Sequence, residues 1–218
     1  MKINAIITAG GTSSRYGNTN KLLEKIHGKA VIQHTVEVFL SVKEIAEIII
    51  CAHFSIIDDL KWIFEDYHNI KIIEGGKTRQ ESVYNGLFVC NDCDYVLIQD
   101  GARPMISVEI IEKAIKMVQD KKALTAAAKT IDTIKQVDEN LKIIKTIDRS
   151  SLYNTQTPQA FEYKLIRDAH EKLRGQDYTD DAGMLETLGL DVYILEGEYK
   201  NIKITTQSDI EIAKTYLK

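Results

Sequence analysis

Residues 3–17 read INAIITAGGTSSRYG, and this stretch decides the fold. Ile3–Thr8 is apolar almost throughout and rich in β-branched residues, which is typical of a strand covered on both faces. The small residues Ala9-Gly10-Gly11 then let backbone N–H groups approach an anion closely, while Arg15 and Lys21 add positive charge. Loops of this kind lie at the carboxyl ends of the strands in an open α/β sheet, where ligands bind. The stretch therefore predicts a phosphate-binding loop at the mouth of such a sheet.

This loop matches neither of the two common phosphate-binding motifs. The dinucleotide fingerprint G-x-G-x-x-G is absent, because Gly10-Gly11 is followed by Thr12. A Walker A loop is absent as well, since Gly76-Lys77-Thr78 is preceded by Lys71 at the position where that motif requires glycine. Taken alone, the loop leaves two interpretations open, an anion site of another kind or a plain turn of small residues.

Two further loops of small and charged residues follow predicted strands. Gly75–Ser82 follows Ile70–Glu74, and Asp100–Pro104 follows Tyr95–Gln99. Because the carboxyl ends of parallel strands meet at one edge of a sheet, the three loops should share one cleft. Asp100 is a candidate for holding a divalent metal or a substrate hydroxyl, although Asp-Gly is also common in simple turns.

Apolar strands alternate with segments of helical periodicity along the chain. In the first 130 residues we predict strands at Ile3–Thr8, Ala46–Cys51, Ile70–Glu74, Tyr95–Gln99 and Leu124–Lys129, and helices at Val31–Leu40, Ile56–Phe64, Glu81–Val89 and Val108–Val118. Near the C-terminus we predict helices at Glu162–Arg174, Asp181–Leu188 (with Gly189 as the C′ residue that ends it) and Ser208–Leu217, and strands at Val192–Leu195 and Ile202–Thr205. The alternation indicates right-handed βαβ units and hence a Rossmann-like α/β fold with a mostly parallel sheet.

The segment between these two regions has a different pattern. Thr133–Val137 and Ile143–Ile147 flank the polar residues 138–142, which predicts a two-stranded ribbon. An isolated ribbon is marginally stable in water, so this arm should pack on something, most naturally a partner subunit. No linker-like segment divides the chain. We therefore predict one domain over residues 1–218, with a β-arm at approximately 132–150.

Bulk composition excludes several classes of protein. With 28 Lys and Arg against 32 Asp and Glu, the 218-residue chain has a net charge of −4, which argues against non-specific nucleic-acid binding. No apolar run approaches the roughly 18 residues of a membrane span. The apolar run at the N-terminus is too short for a signal peptide, so we expect a cytoplasmic protein that does not interact with membranes.

The cysteines offer little support for a metal or redox site. Cys90 and Cys93 have the spacing of a zinc or redox pair, but no second Cys or His pair lies at a matching interval. The third cysteine, Cys51, leaves an odd number, which argues against a disulfide framework. The pattern favours two thiols at a helix end and the following turn.

Taken together, these motifs resemble those of the 2-C-methyl-D-erythritol 4-phosphate cytidylyltransferase family, in the same order and nearly end to end. The matching segments are Ala9-Gly10-Gly11 with Arg15 and Lys21, Gly75-Gly76 with residues 79–83, residues 100–104, residues 132–135, residues 146–149, residues 156–161, residues 179–182 and residues 201–205. The lysine stands in Asn20-Lys21-Leu22, where the family often has Pro-Lys-Gln, so its charge is retained.

The resemblance implies an α/β nucleotidyltransferase that uses CTP and Mg²⁺ and exchanges its β-arm across a homodimer. By that resemblance, Arg15 and Lys21 neutralise the triphosphate, and Lys203 holds the α-phosphate and the incoming phosphate. The residues implied to hold the cytidine are Ala9, Gly10, Gly11, Gly76 and Ser82. Those implied to line the sugar-phosphate side are Asp100, Arg103 and Thr179, together with Thr133 and Arg149 from the arm of the neighbouring subunit.

The implied reaction is an in-line displacement of pyrophosphate from CTP by a phosphate oxygen of a sugar-alcohol phosphate. Because this nucleophile is already an anion, catalysis would consist of positioning and charge neutralisation, with Mg²⁺ bridging phosphates and Asp100 as a candidate protein ligand. Two alternatives stay open: a ribitol-5-phosphate cytidylyltransferase, and a non-catalytic nucleotide-binding regulatory protein on the same fold.

Overall fold

A computed structural model describes residues 1–11, 20–90 and 92–217. The strands are β1 (Ile3–Ala9), β2 (Lys25–Ile26), β3 (Lys29–Ala30), β4 (Ile45–Ala52), β5 (Ile70–Glu74), β6 (Tyr95–Asp100), β7 (Ala123–Lys129), β8 (Ile134–Val137), β9 (Ile143–Ile147), β10 (Tyr153–Glu162) and β11 (Tyr193–Glu196). The α-helices are α1 (Val31–Leu40), α2 (Ile57–Ile63), α3 (Arg79–Val89), α4 (Val108–Lys121), α5 (Tyr163–Lys172), α6 (Asp181–Thr187) and α7 (Gln207–Tyr216), and short 3₁₀ helices cover Phe54–Ile56 and Arg149–Ser151.

Seven strands form the central sheet in the order β11-β7-β10-β6-β1-β4-β5. β6, β1, β4 and β5 are mutually parallel, and β11 runs parallel to β7 at the other edge. The predicted α/β fold with a mostly parallel sheet is therefore confirmed. The parallel arrangement also places the ends of β1, β5 and β6, which carry the three predicted loops, at one edge of the sheet.

The strand β1 is buried on both faces, as its almost entirely apolar sequence predicts. Ile3, Ala5 and Ile7 join the larger core cluster, to which α1, α2 and α4 contribute, whereas Ile6 joins a second cluster. That second cluster receives apolar side chains from α3, α5 and α6 on the opposite face. The sheet is thus the middle layer of three.

One strand of the sheet is not predicted by the sequence pattern. β10 lies between β6 and β7 and pairs antiparallel with both. Pro158 within it argues against a central strand, because proline cannot donate a hydrogen bond to the ladder. The structure accommodates Pro158 where the register with β7 shifts between Thr155 and Gln159.

The strand predicted at Ile202–Thr205 is wrong. This segment forms neither a helix nor a strand. Ile204 N–H donates to the carbonyl of Ala102 at 2.8 Å, which fastens the segment to the loop after β6 instead of to a strand. The predicted role of Gly189 after α6 is confirmed, since its φ of +71° lies in the left-handed region that favours glycine.

The two thiols of Cys90 and Cys93 lie at the end of α3 and in the loop that follows it, with 3.3 Å between their sulfur atoms. Among the described residues, no cluster of three or more His, Cys, Asp or Glu side chains could hold a metal ion. The positions of the two cysteines agree with the sequence-based interpretation that they lie at a helix end and in the turn that follows it.

Candidate active site

The glycine loops after β1 and β5 meet at the hydroxyl of Ser82. Ser82 is buried in the first turns of α3, and its Oγ accepts a hydrogen bond from Gly76 N–H at 3.0 Å. A Cβ built on Gly10 or on Gly75 would lie 2.8 Å from the same Oγ, closer than real contacts allow. Glycine at these positions therefore lets two backbone loops approach one side chain. The structure thus brings together Gly10, Gly76 and Ser82, three of the residues that the resemblance assigns to the cytidine.

The start of α3 is fixed by its own side chains. Thr78 caps the helix by accepting from Glu81 N–H at 3.1 Å, and Glu81 accepts from Lys77 N–H at 2.7 Å. The first contact satisfies a backbone donor that a helix start leaves unpaired, and the second fixes the residue that precedes the cap. It also sets Arg79, the first residue of the helix, at the edge of the cleft.

Asp100, the last residue of β6, is surrounded by three cationic side chains. Its Oδ2 lies 2.9 Å from Lys203 Nζ and 3.3 Å from Arg103 Nε, and its Oδ1 lies 3.6 Å from Arg79 Nε. Burial acts to raise the pKa of Asp100, but the charges of Lys203, Arg79 and Arg103 more than offset it and hold that pKa well below its usual range. Asp100 is therefore a fixed negative charge around which three cations are arranged.

Arg103 connects this carboxylate to the segment that carries Lys203. Its Nη1 donates to the carbonyl of Asn201 at 2.7 Å, while its Nε faces Asp100. Burial lowers the pKa of Arg103, and the neighbouring Asp100 opposes that change. Together with the Ile204–Ala102 hydrogen bond, this contact fixes the backbone on both sides of Lys203. Lys203 is thus positioned in the cleft by an irregular backbone segment that these two contacts hold in place.

Lys21 lies in a turn that is anchored against the start of α1. Asn20 Oδ1 accepts from Leu22 N–H at 3.0 Å, and the carbonyl of the buried Leu22 accepts from Ile32 N–H. Burial acts to raise the pKa of Asp209, and hydrogen bonds from Thr206 and Thr205, together with the charge of Lys21, lower it below its ordinary value. Lys21 is therefore near the first turn of α7, which follows the Lys203 segment. Arg15, the other predicted triphosphate ligand, lies outside the described residues.

Thr179 precedes a pair of carboxylates that are held by buried partners. Asp180 caps α6 and accepts from Gln159 Nε2 at 2.8 Å. The next carboxylate, Asp181, lies 2.6 Å from Arg79 Nη1 and 2.9 Å from His170 Nε2. Thr179 itself is exposed. Its position is thus set by residues of β10, α3 and α5.

The structure places Thr133 and Arg149 in the arm, apart from the Asp100 cluster. Both are exposed, and the Arg149 guanidinium donates to the carbonyl of Ile131. Within residues 1–11, 20–90 and 92–217, no hydrogen bond or ion pair joins either residue to Asp100, Arg103 or Lys203. One chain alone does not bring the two groups of predicted substrate residues together.

Three side chains that organise the cleft were absent from the sequence-based set: Arg79, Asp181 and His170. Arg79 had a usable signal, because it is a cation at the start of a helix that follows a glycine pair. Asp181 lies within the matching segment 179–182, although no role was assigned to it there, and His170 had no signal. They are charged or polar residues in ordinary helical segments, and their roles arise from contacts over long sequence separations.

Comparison with known proteins yields one family. Residues 3–218 match the family model described as 2-C-methyl-D-erythritol 4-phosphate cytidylyltransferase. A relative of that name from Clostridium perfringens is 42% identical over 223 residues, covering 100% of this chain and 99% of its own. Another, from Alkaliphilus oremlandii, is 42% identical and covers 100% of this chain and 95% of its own.

Solved structures agree with these relatives. The crystal structure of 4-diphosphocytidyl-2C-methyl-D-erythritol synthase from Anaerococcus prevotii has a TM-score of 0.89 and 38% identity, covering 99% of this chain and 96% of that one. The 2-C-methyl-D-erythritol 4-phosphate cytidylyltransferase from Francisella tularensis has a TM-score of 0.85 and 28% identity, with both chains fully covered. The similarity therefore extends over the whole fold and includes the strand-end cleft.

Proposed function

The chain belongs to the 2-C-methyl-D-erythritol 4-phosphate cytidylyltransferase family, and from this premise we propose how its residues carry out that family's reaction. The protein is a cytidylyltransferase of non-mevalonate isoprenoid biosynthesis. It transfers CMP from CTP to 2-C-methyl-D-erythritol 4-phosphate, giving 4-diphosphocytidyl-2-C-methyl-D-erythritol and pyrophosphate. The relatives favour neither ribitol 5-phosphate as the acceptor nor a non-catalytic regulatory role.

The observation that carries the roles proposed for the cleft residues is the convergence of three cations on Asp100. Among the described residues, Arg79, Arg103 and Lys203 form ion pairs with two carboxylates, Asp100 and Asp181, and the charge of Asp180 also acts on Arg79. Lys203 is the most exposed of the three cations. A phosphate that enters the cleft would therefore meet Lys203 first.

In the proposed mechanism, the phosphate oxygen of the sugar phosphate attacks the α-phosphorus of CTP and pyrophosphate leaves. The attacking oxygen is already ionised, so no side chain has to remove a proton. Lys203 lowers the repulsion between the two phosphates that approach each other, and Lys21 and Arg15 stabilise the charge of the leaving pyrophosphate. Backbone groups of Ala9, Gly10, Gly11 and Gly76, with Ser82, hold the cytidine.

The donor set of the cleft fits Mg²⁺ that is bound mainly by substrate. Mg²⁺ characteristically takes one or two carboxylates and completes its shell with phosphate oxygens and water. Asp100 Oδ1 is the protein oxygen that suits this role, because its contacts with Thr8 Oγ1 and Arg79 Nε are long, at 3.4 and 3.6 Å. When bound, the ion would neutralise phosphate charge. Addition of excess EDTA should abolish turnover, and excess Mg²⁺ should restore it.

We further propose that residues 1–218 form one domain, which works as a homodimer in the cytoplasm. Support comes from the arm, whose exposed side chains include Ile131, Leu141, Ile143 and Ile144 at 57 to 80% exposure. A second copy would cover this apolar surface and bring Thr133 and Arg149 to the neighbouring sugar-phosphate site. No described helix combines the length and apolar character needed to cross a bilayer.

Release of pyrophosphate tests the reaction and its acceptor. CTP and Mg²⁺ are incubated with 2-C-methyl-D-erythritol 4-phosphate or with ribitol 5-phosphate, and pyrophosphate is measured by a coupled assay. We expect release with the first acceptor only. Release with ribitol 5-phosphate alone would overturn the assigned substrate, and no release with either would overturn the enzymatic function.

Mixing two inactive variants tests the shared site. Lys203→Ala removes a residue of the chain's own cleft, whereas Arg149→Ala removes one that is donated to the neighbour. Random re-association at a one-to-one ratio makes half of the dimers mixed, and each mixed dimer has one intact site, so about a quarter of wild-type activity should return. Mixed dimers that are verified by mass but stay inactive would contradict the exchange.

A further inference from the structure

His170 is a buried histidine that lies behind the cleft, on α5. Its side chain is 1% exposed, and its Nε2 lies 2.9 Å from Oδ1 of Asp181. An ionised carboxylate only accepts hydrogen bonds, so Nε2 carries the hydrogen in this contact. The ring therefore holds one oxygen of Asp181 in place.

The other oxygen of Asp181 holds Arg79. The distance from Oδ2 to Arg79 Nη1 is 2.6 Å, and Asp181 N–H donates to Gln159 Oε1 at 3.0 Å. Burial acts to raise the pKa of Asp181, but the charge of Arg79 and the hydrogen bond from His170 outweigh it and keep this pKa below its usual value. Asp181 is thus a buried, ionised carboxylate whose position is fixed by contacts with Arg79, His170 and Gln159.

The far side of Arg79 faces the cleft. Arg79 Nε is 3.6 Å from Asp100 Oδ1, a looser contact than the 2.9 Å between Lys203 Nζ and Asp100 Oδ2. Burial acts to lower the pKa of Arg79, and the charges of Asp181 and Asp100 raise it above its usual value. Without Asp181, Asp100 would be the remaining ion-pair partner of the guanidinium within the described residues, and Arg79 would compete with Lys203 and Arg103 for that carboxylate.

We propose that His170 and Asp181 are positioning residues for the sugar-phosphate half of the reaction. Because Asp181 binds Arg79 tightly, the contact between Arg79 and Asp100 stays loose. Asp100 is then available to orient Lys203 and Arg103, the two cations assigned to the acceptor phosphate. Neither residue touches a reacting atom. This inference rests on the proposed function, and it places the effect on the acceptor more than on CTP. Lys203 contacts both substrates in the proposed mechanism, but CTP is also held through its cytidine by the glycine loops and Ser82, whose mutual contacts do not involve Arg79.

Kinetics of paired variants test the proposal. His170→Leu removes the hydrogen bond to Asp181, whereas His170→Gln keeps an amide N–H that can donate from nearly the same place. We expect His170→Leu to raise the KM for 2-C-methyl-D-erythritol 4-phosphate about tenfold, which is the size expected for losing a hydrogen bond to a charged group. The KM for CTP should change less than twofold, and His170→Gln should return the acceptor KM to within about threefold of wild type.

Two controls separate positioning from stability. Glu171→Gln changes an exposed neighbour on the same helix and should leave both KM values unchanged. All assays are run below the onset of melting, and if His170→Leu does not fold, His170→Asn, whose shorter amide does not reach Asp181, takes its place. Equal kinetics for the Leu (or Asn) and Gln variants, or equal rises in the two KM values, would overturn the proposal.

Binding of inorganic phosphate, measured by calorimetry, provides a readout that needs no turnover. His170→Leu should bind phosphate several-fold more weakly than His170→Gln, because Arg79 then competes for Asp100. Identical affinities would count against the positioning role. The wild-type pyrophosphate assay reports separately on the function itself, so failure of the function and failure of this inference give different results.

Discussion

The strand-end cleft and the β-arm use their side chains in opposite ways. In the cleft, Asp100 is buried, and three cations of the same chain, Arg79, Arg103 and Lys203, form ion pairs with it. In the arm, Ile143 and Ile144 are more than half exposed, and the two strands pair only with each other within the described part of the chain. The difference teaches that folding of one chain is enough to form the ion pairs around Asp100, whereas the arm presents apolar surface that folding of one chain leaves exposed.

The largest expected effect comes from breaking the cleft. Lys203→Ala should lower kcat/KM on the order of 10²-fold or more, because it removes the exposed cation that meets the phosphate, while the fold stays intact. Steady-state kinetics measure the loss. Lys214→Ala removes an equally exposed lysine that pairs with Glu211 on α7, and it should retain full activity. Comparable losses in both variants would mean that general charge, rather than position, matters.

The next effect comes from breaking the arm. Ile143→Asp combined with Ile144→Asp places charge in the apolar surface that the proposed homodimer would cover, so light scattering should report a mass of 24.7 kDa in place of the dimer's twofold value. Activity should fall with the dimer, because Thr133 and Arg149 no longer reach a neighbour. Trp62→Asp alters an equally prominent apolar residue on α2, 74% exposed, and should leave the dimer intact. A double variant that stays dimeric would show that another surface holds the subunits.

A smaller effect concerns the pH dependence of the cleft. The pKa of Asp181 is lower in the folded chain than the roughly 3.9 of an unfolded aspartate, so its contribution to stability is present above about pH 4 and is lost as pH falls through the folded pKa. Asp181→Asn should therefore reduce the steepness with which the free energy of unfolding falls between about pH 4 and 2.5, by at most about 1.4 kcal/mol per pH unit. Urea unfolding at several pH values measures this slope.

The control for this experiment is a core variant. Ile48→Val lowers stability by about 1 kcal/mol without removing a titrating group, so its pH slope should equal that of wild type. If Asp181→Asn keeps the full wild-type slope, the carboxylate is not the charged anchor that the geometry indicates.

The smallest effect lies in the turn of the arm. Leu141 has a φ of +62°, in the left-handed region that costs a side chain about 1 to 2 kcal/mol. Leu141→Gly removes that strain at some cost in chain entropy, so amide exchange at Leu141 and Asp138 should slow about two- to fivefold. The measurement uses the Ile143→Asp/Ile144→Asp background, where partner contacts do not contribute. Leu141→Ala keeps a Cβ, so its amide exchange should change less than that of the glycine variant. Faster exchange in Leu141→Gly than in the background would contradict the idea that the backbone of Leu141 is strained.

The sequence by itself determined the layered fold and the location of the site. Strands such as β1 are apolar almost throughout and alternate with helical segments, which indicates an α/β sheet, and the glycines that follow β1 and β5 indicate the edge where ligands bind. The motifs shared with the family then indicated the type of reaction, because each is a short local segment and all of them occur in the family's order along the chain. These features are encoded within a few neighbouring residues.

Only the tertiary structure decided how distant residues meet. Local patterns placed a strand at Ile202–Thr205 and none around Pro158, yet the structure needs β10 in the sheet and an irregular backbone beside Asn201 to aim Lys203. Likewise, Arg79 and Asp181 are 102 residues apart and become partners only because α3 and α6 lie on the same face of the sheet. Local periodicity reports burial and secondary structure, whereas ion pairs between remote elements depend on topology, and topology is fixed only when the whole sheet assembles.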